Sequence, residues 1–398
     1  MEFIVVCTSG KWQLPIIRKA KSRGLVCIAI DENAGALGLN EADYVIISKL
    51  NELDYIVDEI RKITNEILGA ISFCSDVGIF LAQHLNSEFM CAPQLLFQAE
   101  NATNKVVQRR IWGAAGIAQP KFEVFKNTKD AFLFGSRTVF PFVVKPSDSS
   151  GSRGVTIVSQ PGELNQAIDS AFEFSKAGEI IIEGFMSGTE YTVEILAVEA
   201  EVHVLLVTRK IKVSENTRTV SRELASISPE NFLYPKIAHL AKSAFESLGI
   251  KNGPGHLEMI VDEETGPVGI VEAAFRGGGF NLSDRLVQLT TGIDLTSACL
   301  MPFLGEQLSI PEIHYRPSVL FFHPTQKGRL VNILGLAEVE KISGVEIEIL
   351  GVLGQVYEEP KTDGDRLCTI IITAFTSLEL EEKKQQVDNL LSFIFEDI

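Results

Sequence analysis

The chain has 398 residues, 45% hydrophobic and 22% charged, which is the balance of a globular protein of two or three domains and excludes a disordered one. Its formal net charge of −16 excludes a general nucleic-acid binder, because no basic track can neutralise successive phosphates; a local cationic pocket for a small anion stays open. Cys7, Cys27, Cys74, Cys91, Cys299 and Cys368 are scattered, with no metal-like spacing, as suits buried thiols in a reducing compartment. MEFIVVCTSGKW lacks a basic leader followed by an apolar segment, and no apolar run reaches the roughly 20 residues of a bilayer span, so a cytoplasmic protein away from membranes is expected.

In chain order, the first hundred residues alternate strand and helix. FIVVCTS is an apolar run, KWQLPIIRKAKSRG has helical spacing with Gly24 as a C-cap, and LVCIAID and ADYVIIS are further strands. LDYIVDEIRKITNEI is an amphipathic helix and GAISFC a fourth strand. This alternation predicts a parallel, doubly wound sheet with its ligand edge near Thr8, Ser9, Gly10 and Asp31. CTSGKWQ carries one glycine where a dinucleotide turn needs three, so a structural wall fits better than an NAD site.

A helix with Lys105, Arg109 and Arg110 is expected from about 100 to 120. AGEIIIEGFMSGTEYTVEILAVEAEVHVLLVTRKIKV has the pattern of consecutive antiparallel strands, YPKIAHLAKSAFESLGI of a helix, and GPGHLEMIVD and VGIVEAAF of two short strands. The last third holds the strand-rich pieces SVLFFHP, VEIEILG and LCTIIITAF, and LELEEKKQQVDNLLSFIF reads as a closing charged helix.

Three stretches carry chemistry. FVVKPSDSSGSRGVTIV places Lys145 beside a Ser/Gly turn between two strands. The turn is either a flap whose backbone N–H groups converge on phosphate, with Arg153 as a second cation, or an exposed hairpin with an incidental lysine. The lysine precedes the glycines and the exit is a strand, unlike a Walker loop. IIIEGFMSGTEYTVEI ends a strand in Glu183. Its connector can offer backbone groups and Phe185 and Met186 to a purine, and Glu190 to ribose; alternatively both glutamates are surface residues. Glu258 and Glu272 lie 14 positions apart in paired strands around a DEETGP turn, where two carboxylates can share a cavity and hold Mg²⁺ with nucleotide phosphates, or form a salt-bridged hairpin. Arg276 follows, then Gly277, Gly278 and Gly279. Arg209, Lys210 and Lys212 form a substrate wall or a solvated basic edge, and His256 orients substrate or is structural. Neither a Ser–His–Asp spacing nor a cysteine with a base partner suggests an enzyme-bound covalent intermediate.

Taken in order, Lys105, Lys145 with SSGSRG, EGFM, Glu190, HLE and EAAFR resemble the ATP-grasp superfamily, and the resemblance covers nearly the whole chain. Within it the chain is most similar to carboxylate–amine ligases of the L-amino acid type, on a biotin-carboxylase-like architecture. The resemblance implies an α/β and α+β fold with a parallel pre-ATP-grasp domain at 1–100 and a small lobe with flap and nucleotide hinge at 101–190. A large lobe with the metal hairpin would span 191–310 and a β-rich C-terminal lobe 311–398. ATP phosphates would be held by Lys105 and Lys145 under a flap including Ser149, Ser150, Gly151, Ser152 and Gly154. Glu183, Gly184, Phe185, Met186 and Glu190 would meet adenine and ribose, Glu258 and Glu272 would ligate Mg²⁺ (Mn²⁺ as substitute), and Arg276 would stabilise the transferring phosphoryl group. Arg209, Lys210, His256, Gly277 and Gly278 would line the substrates, a small carboxylate and an amine, and a homodimer is the implied assembly. Many members carry Asn two positions after the second metal glutamate; here Ala274 stands there. Rival readings are a purine-pathway ribotide carboxylase or formyltransferase, which needs a basic cluster where Lys11 and Arg18 are poor candidates, and a nucleotide-binding protein without catalysis.

Overall fold

The computed structural model describes all residues except 93–96, 150, 152, 214–219, 309, 311, 363 and 398. Its N-terminal sheet is parallel: Phe3–Cys7, Val26–Asp31, Tyr44–Ile47 and Gly69–Ile71 stand in the spatial order third, second, first, fourth. FIVVC and VCIAID are apolar on both faces because both are covered. Ile4 and Val6 pack into one cluster, whereas Val5, Ile28 and Ile30 pack into another. The helix Leu14–Ser22 closes at Arg23, and Gly24 takes the left-handed conformation that follows a helix end, with φ +80°. Asp31, expected at the ligand edge, is instead a structural group. Its carboxylate accepts from the backbone N–H groups of Ser9 (2.7 Å) and Asn33 (2.9 Å) and so holds the turn after the first strand.

The small lobe is a four-stranded antiparallel sheet in the order Phe122–Phe125, Ile180–Gly184, Phe142–Pro146, Thr156–Val158. Helices Thr128–Gly135 and Leu164–Phe174 back it through a core of Ala131, Phe142, Val144, Leu164, Ile168 and Ile182. The chain then crosses into an eight-stranded antiparallel sheet. Its order is Gly266–Ala274, Gly253–Asp262, Thr189–Val198, Glu201–Lys212, Ser221–Ser226, Ser318–Pro324, Arg366–Thr373, Val345–Ile349. This sheet runs across position 310, so strands from 311–398 complete the sheet of the large lobe. No helix of the described residues is long and apolar enough to cross a membrane.

Local expectations give way in three places. The stretch from 100 to 120 holds two helices, Ala99–Thr103 and Lys105–Ala114, because Asn104 is extended and its side-chain oxygen accepts from the N–H groups of Val106 and Val107. IIIEG and TEYTVEILAV, adjacent in sequence, belong to different sheets. The final helix stops at Leu390, and Ser392–Glu396 forms a strand against Gly328–Leu334, where its alternating SFIFE pattern has a sheet to join.

The crossing between lobes needs a glycine at 188. Its φ is +143°, and a Cβ there would stand 2.6 Å from the Val261 carbonyl oxygen. Gly188→Ala is expected to lower unfolding stability by about 1–3 kcal/mol, read as a lower urea midpoint at unchanged slope; an unaltered midpoint would contradict the close approach.

Candidate active site

The helix Lys105–Ala114 is the spine of the site. The Lys105 N–H donates to the Ser147 carbonyl at the root of the Ser/Gly turn (2.9 Å). One turn on, the Gln108 amide donates to Ala273 O (2.5 Å) and Arg109 Nη2 to Val271 O (2.8 Å), both in the strand that carries Glu272. Trp112 Nε1 reaches Ala244 O in the helix Tyr234–Leu248 (3.3 Å). One helix therefore joins the small lobe, the hairpin of the two glutamates and the large-lobe core.

Within this joint lies a buried ion triad. Glu183 Oε1 is 2.6 Å from Lys145 Nζ and Glu183 Oε2 is 3.1 Å from Arg109, with all three side chains no more than 4% exposed. Burial opposes the charge on Glu183, but Arg109 and Lys145 outweigh it and hold the carboxyl below its usual range. Two cations share one anion, and Lys145 carries the consequence. Burial, with Arg109 and Lys105 nearby, pulls its ammonium down to about 8 despite the attraction of Glu183. The Glu183 side chain is thus turned to these two cations and not to a purine. Glu183 sits in an inner strand, in register with Phe122 on one side and Val143 on the other, and its side chain is spent on the triad.

Lys105 bridges the two halves of the cleft. Its Nζ lies 2.7 Å from Glu272 Oε2 and 2.7 Å from the Ser149 carbonyl oxygen in the flap. Gly151 and Gly154 have φ of +66° and +72°, and a Cβ on Gly154 would press on Pro146 and Phe174 at 3.0 Å, so the flap needs its glycines. Ser150 and Ser152 lie outside the described residues. Ser147 Oγ, buried beside Lys145, has no hydrogen-bond partner among the described residues. Past the triad, the Gly184 N–H donates to Lys121 O (2.9 Å), Phe185 is 37% exposed, and Met186 is half-buried against Gly269.

Glu258 and Glu272 are register partners across the hairpin, so their side chains leave the same face, and the ladder slips immediately after Glu258. Lys210 Nζ stands 2.6 Å from Glu190 and 3.4 Å from Glu258, and Lys212 Nζ is 2.7 Å from Glu190. Burial works against the Glu258 charge, yet Lys210 and His256 hold the carboxyl well below its ordinary range. Among the described residues no three His, Cys, Asp or Glu side chains form a cation cage of their own. The donor set, two facing carboxylates among lysines, fits a hard ion such as Mg²⁺ that keeps phosphate and water as its other ligands. Ala274, in register with His256, supplies no oxygen to such an ion.

Beyond the hairpin, Arg276 makes a bidentate pair with Asp76 of the N-terminal domain, at 2.8 and 3.0 Å. Gly277 N–H donates to Phe73 O (2.8 Å) and Gly278 N–H to Glu194 (3.1 Å), and a Cβ at either position would meet Ser283 or Leu282 within 2.6 Å. Glu194 also accepts from Ser283 Oγ and His256 Nδ1. Burial would lower the imidazole, but Glu194 outweighs it and lifts His256 to about 9, so it is a cation at neutral pH with Nε2 3.8 Å from Glu258.

The fold thus brings Lys105, Glu190, Lys210, Glu258, Glu272 and His256 into one cluster of charges, with Lys145 in the triad beside it and Arg276 at the end of the Glu272 strand. It does not bring Arg209, whose side chain points to the other face of its strand from Lys210 and is held by Glu263 at 2.5 Å on the exposed side. The backbone N–H groups of Gly277 and Gly278 are likewise spent on protein acceptors. Asp76 and Glu194 were missed because no local pattern marks them: their partners are 200 and 84 positions away.

A family model for the ATP-grasp domain matches residues 138–284. Over 85% of its length the chain is 24% identical to the L-arginine-specific L-amino acid ligase of Bacillus subtilis, 84% of which is covered. A stretch of 128 residues, 31% of the chain, is 35% identical to the D-alanine–D-alanine ligase of Buchnera aphidicola subsp. Schizaphis graminum, covering 41% of it. The chain spans 41%, 51% and 56% of the length of three curated relatives. In fold it resembles the crystal structure of the L-amino acid ligase from Bacillus licheniformis, with TM-score 0.85 and 22% identity, covering 100% of this chain and 99% of that one.

Removing the shared anion leaves two buried cations unmatched, so Glu183→Ala is expected to cost about 3–5 kcal/mol of stability in urea unfolding. Loss of under 1 kcal/mol would show that the triad is not closed in solution. Lys145, with its pKa lowered from 10.5 to about 8, keeps its charge below pH 8 and loses it above. Its burial therefore costs stability below pH 8, and the cost fades as pH rises towards 10.5. MgADP affinity, measured by calorimetry, is expected to weaken as pH rises from 7 to 9.5, and Lys145→Arg to flatten that profile.

Proposed function

We propose that this chain, whose residues 138–284 match the ATP-grasp domain model, is an ATP-dependent, ADP-forming carboxylate–amine ligase. The observation that carries the reading is the position of Lys105. Its ammonium touches both the flap carbonyl of Ser149 and the carboxylate of Glu272, so phosphate-holding and cation-holding groups lie within one ion-pair length of each other.

A carboxylate resists an amine because its leaving group would be oxide. In the proposed reaction a substrate carboxylate oxygen forms a bond to the γ-phosphorus of ATP while the bond to the bridging oxygen breaks and ADP leaves. The amine lone pair then forms the C–N bond, inorganic phosphate departs with the C–O electron pair, and the nitrogen gives up a proton. Lys105 and Lys145 hold phosphate oxygens, and Arg276 meets the phosphoryl group in transfer, spreading the charge that develops there. Mg²⁺ on Glu258 and Glu272 would neutralise charge on the β- and γ-phosphates. The flap over Lys105 excludes water, which would otherwise consume the activated carboxyl. Phe185, exposed at the hinge, packs on the adenine, and Lys210 with the His256 cation faces the substrate carboxylate.

The amine and carboxylate are proposed to be amino acids, as the name of the Bacillus subtilis relative suggests. A ribotide substrate is less well supported. Lys11 is paired with Glu348 at 2.9 Å and Arg18 with Glu41, so both cations already have carboxylate partners.

Purified protein with MgATP is expected to release phosphate only when a matching carboxylate and amine are both present, and Glu272→Gln to lower that rate by about a hundredfold or more. Phosphate release with bicarbonate or formate and a ribotide would replace this reading. Nucleotide binding without turnover across a full screen of amino-acid pairs would reduce the protein to a binding module.

A further inference from the structure

Arg276 and Asp76 lie 200 positions apart in sequence, yet they form a bidentate ion pair. Asp76 Oδ1 and Oδ2 accept from Nε and Nη2 of Arg276, and Nη1 donates to the carbonyl of Gly277 at 3.1 Å, so the guanidinium is fixed on three of its nitrogens. The side chains are only 20% and 13% exposed. Asp76 stands at the N-terminus of the helix Val77–Glu88, where an aspartate ordinarily accepts from a helix N–H, but its side chain makes no capping bond. Its carboxylate is committed to Arg276 instead.

The two backbones are locked together around this pair. Gly277 N–H donates to Phe73 O, Cys74 Sγ to Gly278 O (3.5 Å), and the N–H of Phe73 to Gln13 (2.9 Å). Gly78 presses the start of the helix onto the first strand: a Cβ there would stand 2.5 Å from Cys7 O and 2.6 Å from Ser72 Oγ. The backbone on either side of Asp76 is therefore held in place.

We propose that Asp76 is a positioning residue: its bidentate hold fixes the Arg276 guanidinium and aims it at the phosphoryl group in transfer. This rests on the role given above to Arg276, and it makes the N-terminal domain a working part of the nucleotide site. Orientation of one charged donor has value only where charge develops, so Asp76 should matter to the transition state and little to bound ADP.

The test compares MgADP with MgADP plus aluminium fluoride, which imitates the transferring phosphoryl group, by calorimetry on the full chain. Wild type is expected to bind the fluoride complex more tightly than MgADP. Asp76→Asn should lose about tenfold or more of that tightening with the MgADP Kd held within about twofold. Asp76→Ser should do the same, and its hydroxyl can cap the helix and support folding. Adding Arg276→Lys to either should cost no more than Arg276→Lys alone. Tightening kept in both variants, an equal loss in MgADP affinity, additive losses, or no tightening in wild type would each overturn the proposal. Turnover with amino-acid pairs is measured on the same preparations: wild-type tightening that is lost in the Asp76 variants, with no turnover by wild type, would sink the ligase reading and leave Asp76 standing, whereas wild-type turnover with tightening kept in the variants would keep the ligase reading and sink Asp76.

Discussion

Everything around the cleft depends on where one buried carboxylate sits. Glu183 is fully enclosed between Arg109 and Lys145, and Arg109 reaches on to the Val271 carbonyl in the hairpin of the two facing glutamates. Desolvating three charges is costly, and a buried pair seldom adds net stability over an apolar replacement. Its effect is geometric. The small-lobe sheet, the spine helix and the hairpin can dock only with these three groups aligned, because any slip would leave a charge in a dry interior. The same arrangement leaves an excess positive charge at Lys145 on the edge of the cleft, where an anion gains most from it.

Around the triad, acids and bases are matched in advance. Lys105 is held by Glu272, Lys210 by Glu190 and Glu258, Lys212 by Glu190, His256 by Glu194 and Arg276 by Asp76. A site with this many charges would otherwise repel itself open. Under the proposed function, phosphates take over the lysines while a divalent cation takes over Glu258 and Glu272, so binding exchanges partners rather than creating charge. Glu194 and Asp76 stand outside that exchange. Each holds a cation and, directly or through its neighbouring turn, the glycine loop, and neither has a reason to let go.

Some residues announced their surroundings and others did not. Lys145 was legible because a cation between an apolar strand and a Ser/Gly turn is a local anomaly, and Glu258 and Glu272 because strand periodicity with a short turn predicts that they face each other. The burial of the Glu183 side chain was not legible, for the opposite reason. A strand-terminal glutamate before Gly184 looks solvent-facing, and only the packing of a helix seventy-odd positions earlier shows that it is enclosed. Arg209 and Lys210 are neighbours in one basic run, but alternation along the strand sends one to Glu263 outside and the other into the cleft. The SFIF segment at the end resembled a continuing helix until a partner strand at Gly328–Leu334 decided otherwise.

From sequence alone follow the alternating parallel domain, the glycine-bearing turn after Lys145 and the hairpin of two facing acids. These are consequences of short-range rules: periodicity, turn chemistry and the conformational range of glycine. Tertiary structure alone decided which charges meet. Whether Asp76 finds Arg276, whether the Glu183 side chain is exposed or a buried counter-ion, and which strands of the last third complete the large sheet are questions of contact across large sequence separations. Electrostatic pairing acts over a few ångströms in space and carries no period along the chain, so its partners cannot be counted out from either residue.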